Sequence, residues 1–241
     1  MSIAHALATA ATLLVGQSPS ESAPRPTPRA EVGQPTPDPS WKALGSDIWF
    51  DPAGKRLILG CRVVLREGAL EHFLCSKNTK EHESILATTA PPRLIHAGLL
   101  LTGAEPGKPV RFDPKFEPPT GATIALALEW YERGEKRTAD ARTWVSDLKS
   151  KKPLETEWVF AGSDLFVDPI TKEKIYAADD GDLITVANFA SSILDLPFRS
   201  SAGDADRLFV ARTEAIPEAG TSVFLILKPK PSADRSKKSS E

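Results

Sequence analysis

Leu57-Ile-Leu-Gly-Cys-Arg-Val-Val-Leu65 and Leu70-Glu-His-Phe-Leu-Cys75, joined by Arg66-Glu-Gly-Ala69, are the stretch on which the fold turns. Two apolar runs flank four residues that include a glycine, the pattern of an antiparallel hairpin with a tight turn. The same reading extends down the chain. His82 to Thr89 alternates like a strand. Thr123 to Trp130 places Leu126, Leu128 and Trp130 on one face, and Arg137 to Val145 returns after a turn at Gly134. Further strands are predicted at 157–160, 174–178, 183–187, 208–213 and 222–227, with Asp180-Gly181 as a hairpin turn between two of them. Pro91-Pro92 before Arg93 to Leu101, and Gly103 after it, give the proline-first, glycine-last signature of a helix. The expected fold class is therefore α+β, mainly antiparallel β-sheet with one or two helices.

A partial internal repeat lies within this pattern. Gly-Ser-Asp-Ile-Trp-Phe-Asp-Pro-Ala-Gly-Lys from Gly45 returns as Gly-Ser-Asp-Leu-Phe-Val-Asp-Pro-Ile-Thr-Lys from Gly162, and the register holds to Ile58 and Ile175. Each copy is a short apolar strand entering an Asp-Pro turn, where Asp bonds its own backbone and Pro fixes φ. Two copies are too few for a solenoid, which leaves two related halves or convergent turn chemistry.

The composition, 41% hydrophobic and 26% charged with a net charge of −2, is that of an ordinary globular chain. It supplies no electrostatic footprint for nucleic acid. Ile3 to Val15 is apolar but too short to cross a bilayer as a helix. It reads as the core of a secretory signal within residues 1–17, although the first basic residue is Arg25, so the signal is incomplete or the true start lies upstream. An extracytoplasmic location and no transmembrane span in the mature chain are the expectations. Residues 18–40 hold seven of the 21 prolines without apolar periodicity and read as a linker. The globular body is expected over 41–228, followed by a basic tail at 229–241.

Candidate chemistry concentrates in one window, Cys61, His72, Cys75, His82 and His96, which holds both cysteines and three of the four histidines. Cys75, Lys80, His82, Glu83 and His96 are the candidate binding residues, and Cys75, His82 and His96 the candidate ligands of a divalent metal such as zinc. On a strand, His82 and Glu83 would point to opposite faces, so only one of them could join a given site. Cys75 beside Lys77 and Lys80 also suits a thiol nucleophile. Oxidation could instead join Cys61 to Cys75, closing a loop of about fifteen residues worth about 3 kcal/mol; a two-residue turn turns the sulfurs apart and a three-residue loop brings them across.

Several motifs fail on inspection. Gly103 to Pro109 lacks the length and the hydroxyl of a phosphate loop. Asp179-Asp180-Gly181-Asp182 lacks the spacing of a calcium loop and reads as turn chemistry. No nucleophile elbow or dinucleotide fingerprint is present.

Cys75-Ser-Lys-Asn-Thr-Lys-Glu-His-Glu-Ser, Leu94-Ile-His-Ala-Gly-Leu-Leu and Trp158-Val-Phe-Ala-Gly-Ser together give a chain that resembles the YdjY family of extracytoplasmic domains. The resemblance covers about Leu57 to Leu227 and supplies a domain family, not a mechanism. Some relatives carry a ferredoxin-like label through added iron–sulfur motifs. Such a cluster needs four thiolates and this chain has two cysteines, so no iron–sulfur cluster is expected. Two functions follow: a noncatalytic module binding a protein, peptide or glycan, or a metal-binding or thiol-dependent redox or hydrolytic enzyme using Cys75, His82 and His96.

Overall fold

The run from Leu57 does form a strand, but it does not pair with the run that follows it. The computed structural model describes residues 34–200 and 209–231. The expected leader at 1–17, most of the linker at 18–40 and most of the tail at 229–241 lie outside the described residues. In chain order the first strands are β1 (Lys42–Gly45), β2 (Ile48–Asp51), β3 (Arg56–Val63), β4 (His72–Ser76) and β5 (Ser84–Thr88). Helix α1 (Pro92–Leu101) follows, then β6 (Thr123–Glu132), β7 (Glu135–Asp140), β8 (Val145–Asp147), β9 (Trp158–Phe160) and β10 (Leu165–Val167). The chain continues through β11 (Lys174–Tyr176), β12 (Asp182–Thr185), β13 (Leu194–Asp195), β14 (Phe209–Ala211) and β15 (Ser222–Pro229).

Hydrogen-bonded neighbours run β3, β15, β6, β9, β13, β12, β4 and β5, and β5 then bonds back to β3 at Arg62↔Ala87 and Val63↔Leu86. The sheet closes on itself as an eight-stranded barrel, which leaves the wall without exposed edges. This corrects the α+β expectation: the described residues are mostly β, with one α-helix. Strand β5 is the reason. All five of its residues are buried, so it needs neighbours on both sides, and it slots between β3 and β4, antiparallel to one and parallel to the other. The residues between Val63 and His72 step over it instead of turning a hairpin.

The same insertion decides the cysteines. Cys61 on β3 and Cys75 on β4 stand two strand spacings apart, about 10 Å, beyond the roughly 7 Å that a disulfide spans. Both are free thiols.

Inside the barrel, alternate residues meet in rows. Val223 lies between Cys61 and Trp130, Leu225 between Leu59 and Leu128, and Leu227 between Leu57 and Leu126. Phe73, Trp158 and Phe160, each fully buried, belong to the same core. Side chains fill the barrel, as the diameter of eight strands allows. On the outer wall, Phe224 is covered by the edges of Trp41 and Trp49, with ring centroids at 5.5 and 5.6 Å.

The internal repeat returns as one hairpin built twice. Asp51 accepts from Gly54 N–H and Asp168 from Ile170 and Thr171 N–H. Phe50↔Leu57 and Trp49↔Ile58 recur as Val167↔Lys174 and Phe166↔Ile175. Even the flanking bond Gly60 N–H to Asp47 O recurs as Ala177 N–H to Asp164 O. The halves do not repeat beyond this. The first hairpin runs on into the barrel wall, whereas β10 and β11 form a separate two-stranded sheet. The turn at Asp180-Gly181 also differs from its expected role: it ends a 3-10 turn, Ala177–Asp180, and β11 does not pair with β12.

Helix α1 lies against β1, β2 and β3. It buries Ile95, Gly98 and Leu99, the spacing of one helical face. A methyl group on Gly98 would overlap a Leu57 methyl. Gly98→Ala should therefore lower the urea-unfolding free energy by about 1–3 kcal/mol, because overpacking outweighs the roughly 1 kcal/mol gain in helix propensity. A stabilised variant would show that the helix is not seated on β3.

Candidate functional site

The five candidate residues do not gather. Cys75 is fully buried on β4, and burial pushes its thiol up from the ordinary range. Cys61, buried in the barrel, is pushed up further by the same cause. Thiols held protonated are poor nucleophiles. His96 sits on α1 with Nδ1 bonded to the Tyr176 hydroxyl at 2.8 Å and its ring on the edge of Phe160. Burial holds that imidazole below its usual range. His82 projects outward, its side chain 77% exposed. Cys75, His82 and His96 thus occupy separate surroundings.

Glu83, Lys80 and His82 instead meet around His72. Glu81–Glu83 forms a 3-10 turn, not the expected strand, so His82 and Glu83 are not forced to opposite faces. The His82 Nε2 lies 3.8 Å from Glu83 Oε1. His72, fully buried at the start of β4, bonds Asp182 Oδ1 through Nε2 at 2.8 Å, and its Nδ1 faces Glu83 Oε1 at 3.9 Å. Lys80 Nζ reaches Asp182 at 3.3 Å, and the Ser191 hydroxyl donates to the other Asp182 oxygen. Phe189 stacks on the His72 ring, nearly parallel at 15°. Burial alone would raise the Asp182 carboxyl, but hydrogen bonds from His72 and Ser191 and the neighbouring charges hold it down at about 2.

His72 and Asp182 are the partners that sequence reasoning missed. His72 lies inside the histidine and cysteine window but in an apolar strand run, and Asp182 follows Asp179-Asp180-Gly181, a run with the composition of a turn. No spacing rule joins two residues 110 positions apart.

A second feature lies on the outer wall, where β2 and β5 leave β3 on the same side. A groove of about 590 Å³ opens there. Trp49 and Phe224 form its aromatic part, Asp47, Arg62, Asn78 and Glu81 its polar part, and Gln34, Pro35 and Pro37 line it from the segment before β1. A concave surface with aromatic and convergent polar groups is the usual form of a binding site. Within it the Thr89 hydroxyl donates to Asp47 Oδ2.

The model of the YdjY domain matches residues 48–228, from the first residue of β2 to the next-to-last residue of β15. No curated protein and no solved structure matches the chain.

Proposed function

We propose that this chain, which belongs to the YdjY domain family, is a noncatalytic binding module whose groove takes an extended, proline-bearing polypeptide segment. One observation carries the reading: the chain's own Gln34, Pro35 and Pro37 line the groove beside Trp49 and Phe224. Proline-rich segments are already extended, so laying one into an aromatic groove costs little ordering entropy. The apolar core inside the barrel supports the same reading, because closely packed side chains there favour recognition on the outer wall. Action outside the cytoplasm, on partner proteins of the envelope or exterior, is part of this proposal and rests on the apolar start of the sequence.

The test is a titration of the full chain against a library of proline-bearing peptides, followed by tryptophan fluorescence. Micromolar binding is expected, with Trp49→Ala weakening it at least tenfold, about 1.4 kcal/mol. Equal binding by the Trp49→Ala chain, or no peptide bound by either, overturns the reading.

A further inference from the structure

The geometry points to a binding site for a first-row divalent cation at Glu71, His72 and Glu83, on the barrel wall where β4 begins. Among the described residues, these are the three His, Cys, Asp or Glu side chains whose donor atoms all lie within 4.8 Å of one another. The cluster alone would not carry the inference. The second observation is His72 Nδ1, a ring nitrogen buried with no hydrogen-bond partner, which faces Glu83 Oε1 at 3.9 Å. A buried polar atom left unpaired bears its full desolvation penalty, so it asks for an explanation.

The rest of the ring supplies one. With Nε2 directed to Asp182 at 2.8 Å, His72 presents Nδ1 as its donor atom toward the two glutamates. A carboxylate behind a histidine is the arrangement that orients metal-ligating imidazoles, and here Ser191 and Lys80 hold that carboxylate in turn. Phe189 fixes the plane of the ring. The backbone brings the two glutamates together as well: Glu71 N–H donates to Glu83 O at 3.2 Å, where β4 and β5 run parallel from His72↔Ser84.

Distances decide whether an ion fits. Nitrogen and oxygen donors about 2.1 Å from zinc stand about 3.4 Å apart in a tetrahedral array. Donors within 4.8 Å therefore need to close by at most about 1.4 Å, a matter of side-chain rotation at two half-buried glutamates. His82, with Nε2 3.8 Å from Glu83 Oε1, can complete the set from the solvent side. One or two imidazoles with two carboxylates select a borderline ion such as Zn²⁺ over the hard Mg²⁺ and Ca²⁺.

The test uses the full chain, purified without chelator, dialysed against Zn²⁺ at pH 7 and assayed by elemental analysis, with far-UV circular dichroism as the control for folding. About one zinc per chain is expected. Glu83→Gln and Glu71→Gln, which keep side-chain shape, should each weaken binding at least tenfold. Asp182→Asn, which touches no ion, should weaken it 10- to 100-fold by releasing the His72 ring. Mg²⁺ at a hundredfold excess should not displace the zinc. No stoichiometric zinc, or one zinc whose affinity survives both glutamine substitutions, overturns the site. These readouts are independent of the groove and of any peptide.

Discussion

Trp158→Ala should remove most of the stability of the barrel. Trp158 is fully buried on β9, its ring centroid lies 5.5 Å from that of Phe73 on β4, and its Nε1–H donates to Thr185 O on β12 at 2.8 Å. One side chain thus ties three strands of the closed wall together across the core. Emptying such a site costs about 3–5 kcal/mol, and the Thr185 carbonyl left without its donor adds about 1 kcal/mol. A domain holds only about 5–15 kcal/mol in total. With an m-value of about 2 kcal/mol/M in urea, the unfolding midpoint should fall by about 2–3 M. Trp158→Phe keeps the packing and loses the N–H, so its midpoint should lie between those of the parent and Trp158→Ala. A fall below about 0.5 M for the alanine variant would show that the wall does not close around this ring.

Local signals were legible in the sequence where local chemistry decides the outcome. Pro92 and Gly103 bracket α1 because a proline fits the first turn and a glycine at φ 87° follows the last. The two Asp-Pro turns form alike because each aspartate bonds its own following backbone N–H groups. Pairing was not legible. The 66–69 segment has the chemistry of a tight turn, yet the buried β5, met only later in the chain, takes the place beside β3 that β4 would have had. Barrel closure is a property of that one non-local ladder, so alternation within each strand could not reveal it. The repeat shows the same limit from the other side: Ile48 is fully buried and its counterpart Leu165 is 61% exposed, although their hairpins pair in the same register. The window from Cys61 to His96 contains His72 and Glu83, but the alternation from His82 onward is that of a strand, whereas residues 81–83 form a 3-10 turn that keeps His82 and Glu83 together. Choosing among the histidines required burial, which set His72 apart from the exposed His82.

Stability should fall as pH rises from about 4 to about 7, through Asp195. This carboxyl is fully buried at the end of β13. Its Oδ1 accepts from Asn188 Nδ2 at 3.0 Å, Thr185 Oγ1 at 3.1 Å and Leu196 N–H at 2.7 Å, and its Oδ2 has no hydrogen-bond partner. Burial pushes the carboxyl up to about 7, against the lowering effect of those hydrogen bonds. For an acid whose folded pKa exceeds its unfolded value near 3.8, the unfolded chain loses its proton first. The folded state is then favoured fully below pH 4 and loses that advantage until pH passes 7. A rise from 3.8 to about 7 corresponds to a total loss on the order of 4 kcal/mol. Asp195→Asn keeps the Oδ1 acceptor and cannot ionise, though it places an unpaired amide at the Oδ2 position and pays about 1–3 kcal/mol at every pH. That constant cancels in the comparison across pH. Relative to the parent chain, the variant should gain about 3–4 kcal/mol between pH 4 and pH 8, read from urea-unfolding free energies at the two values. Parallel curves for the two proteins would mean that Asp195 stays ionised in the fold, with its buried charge carried by the three donors alone.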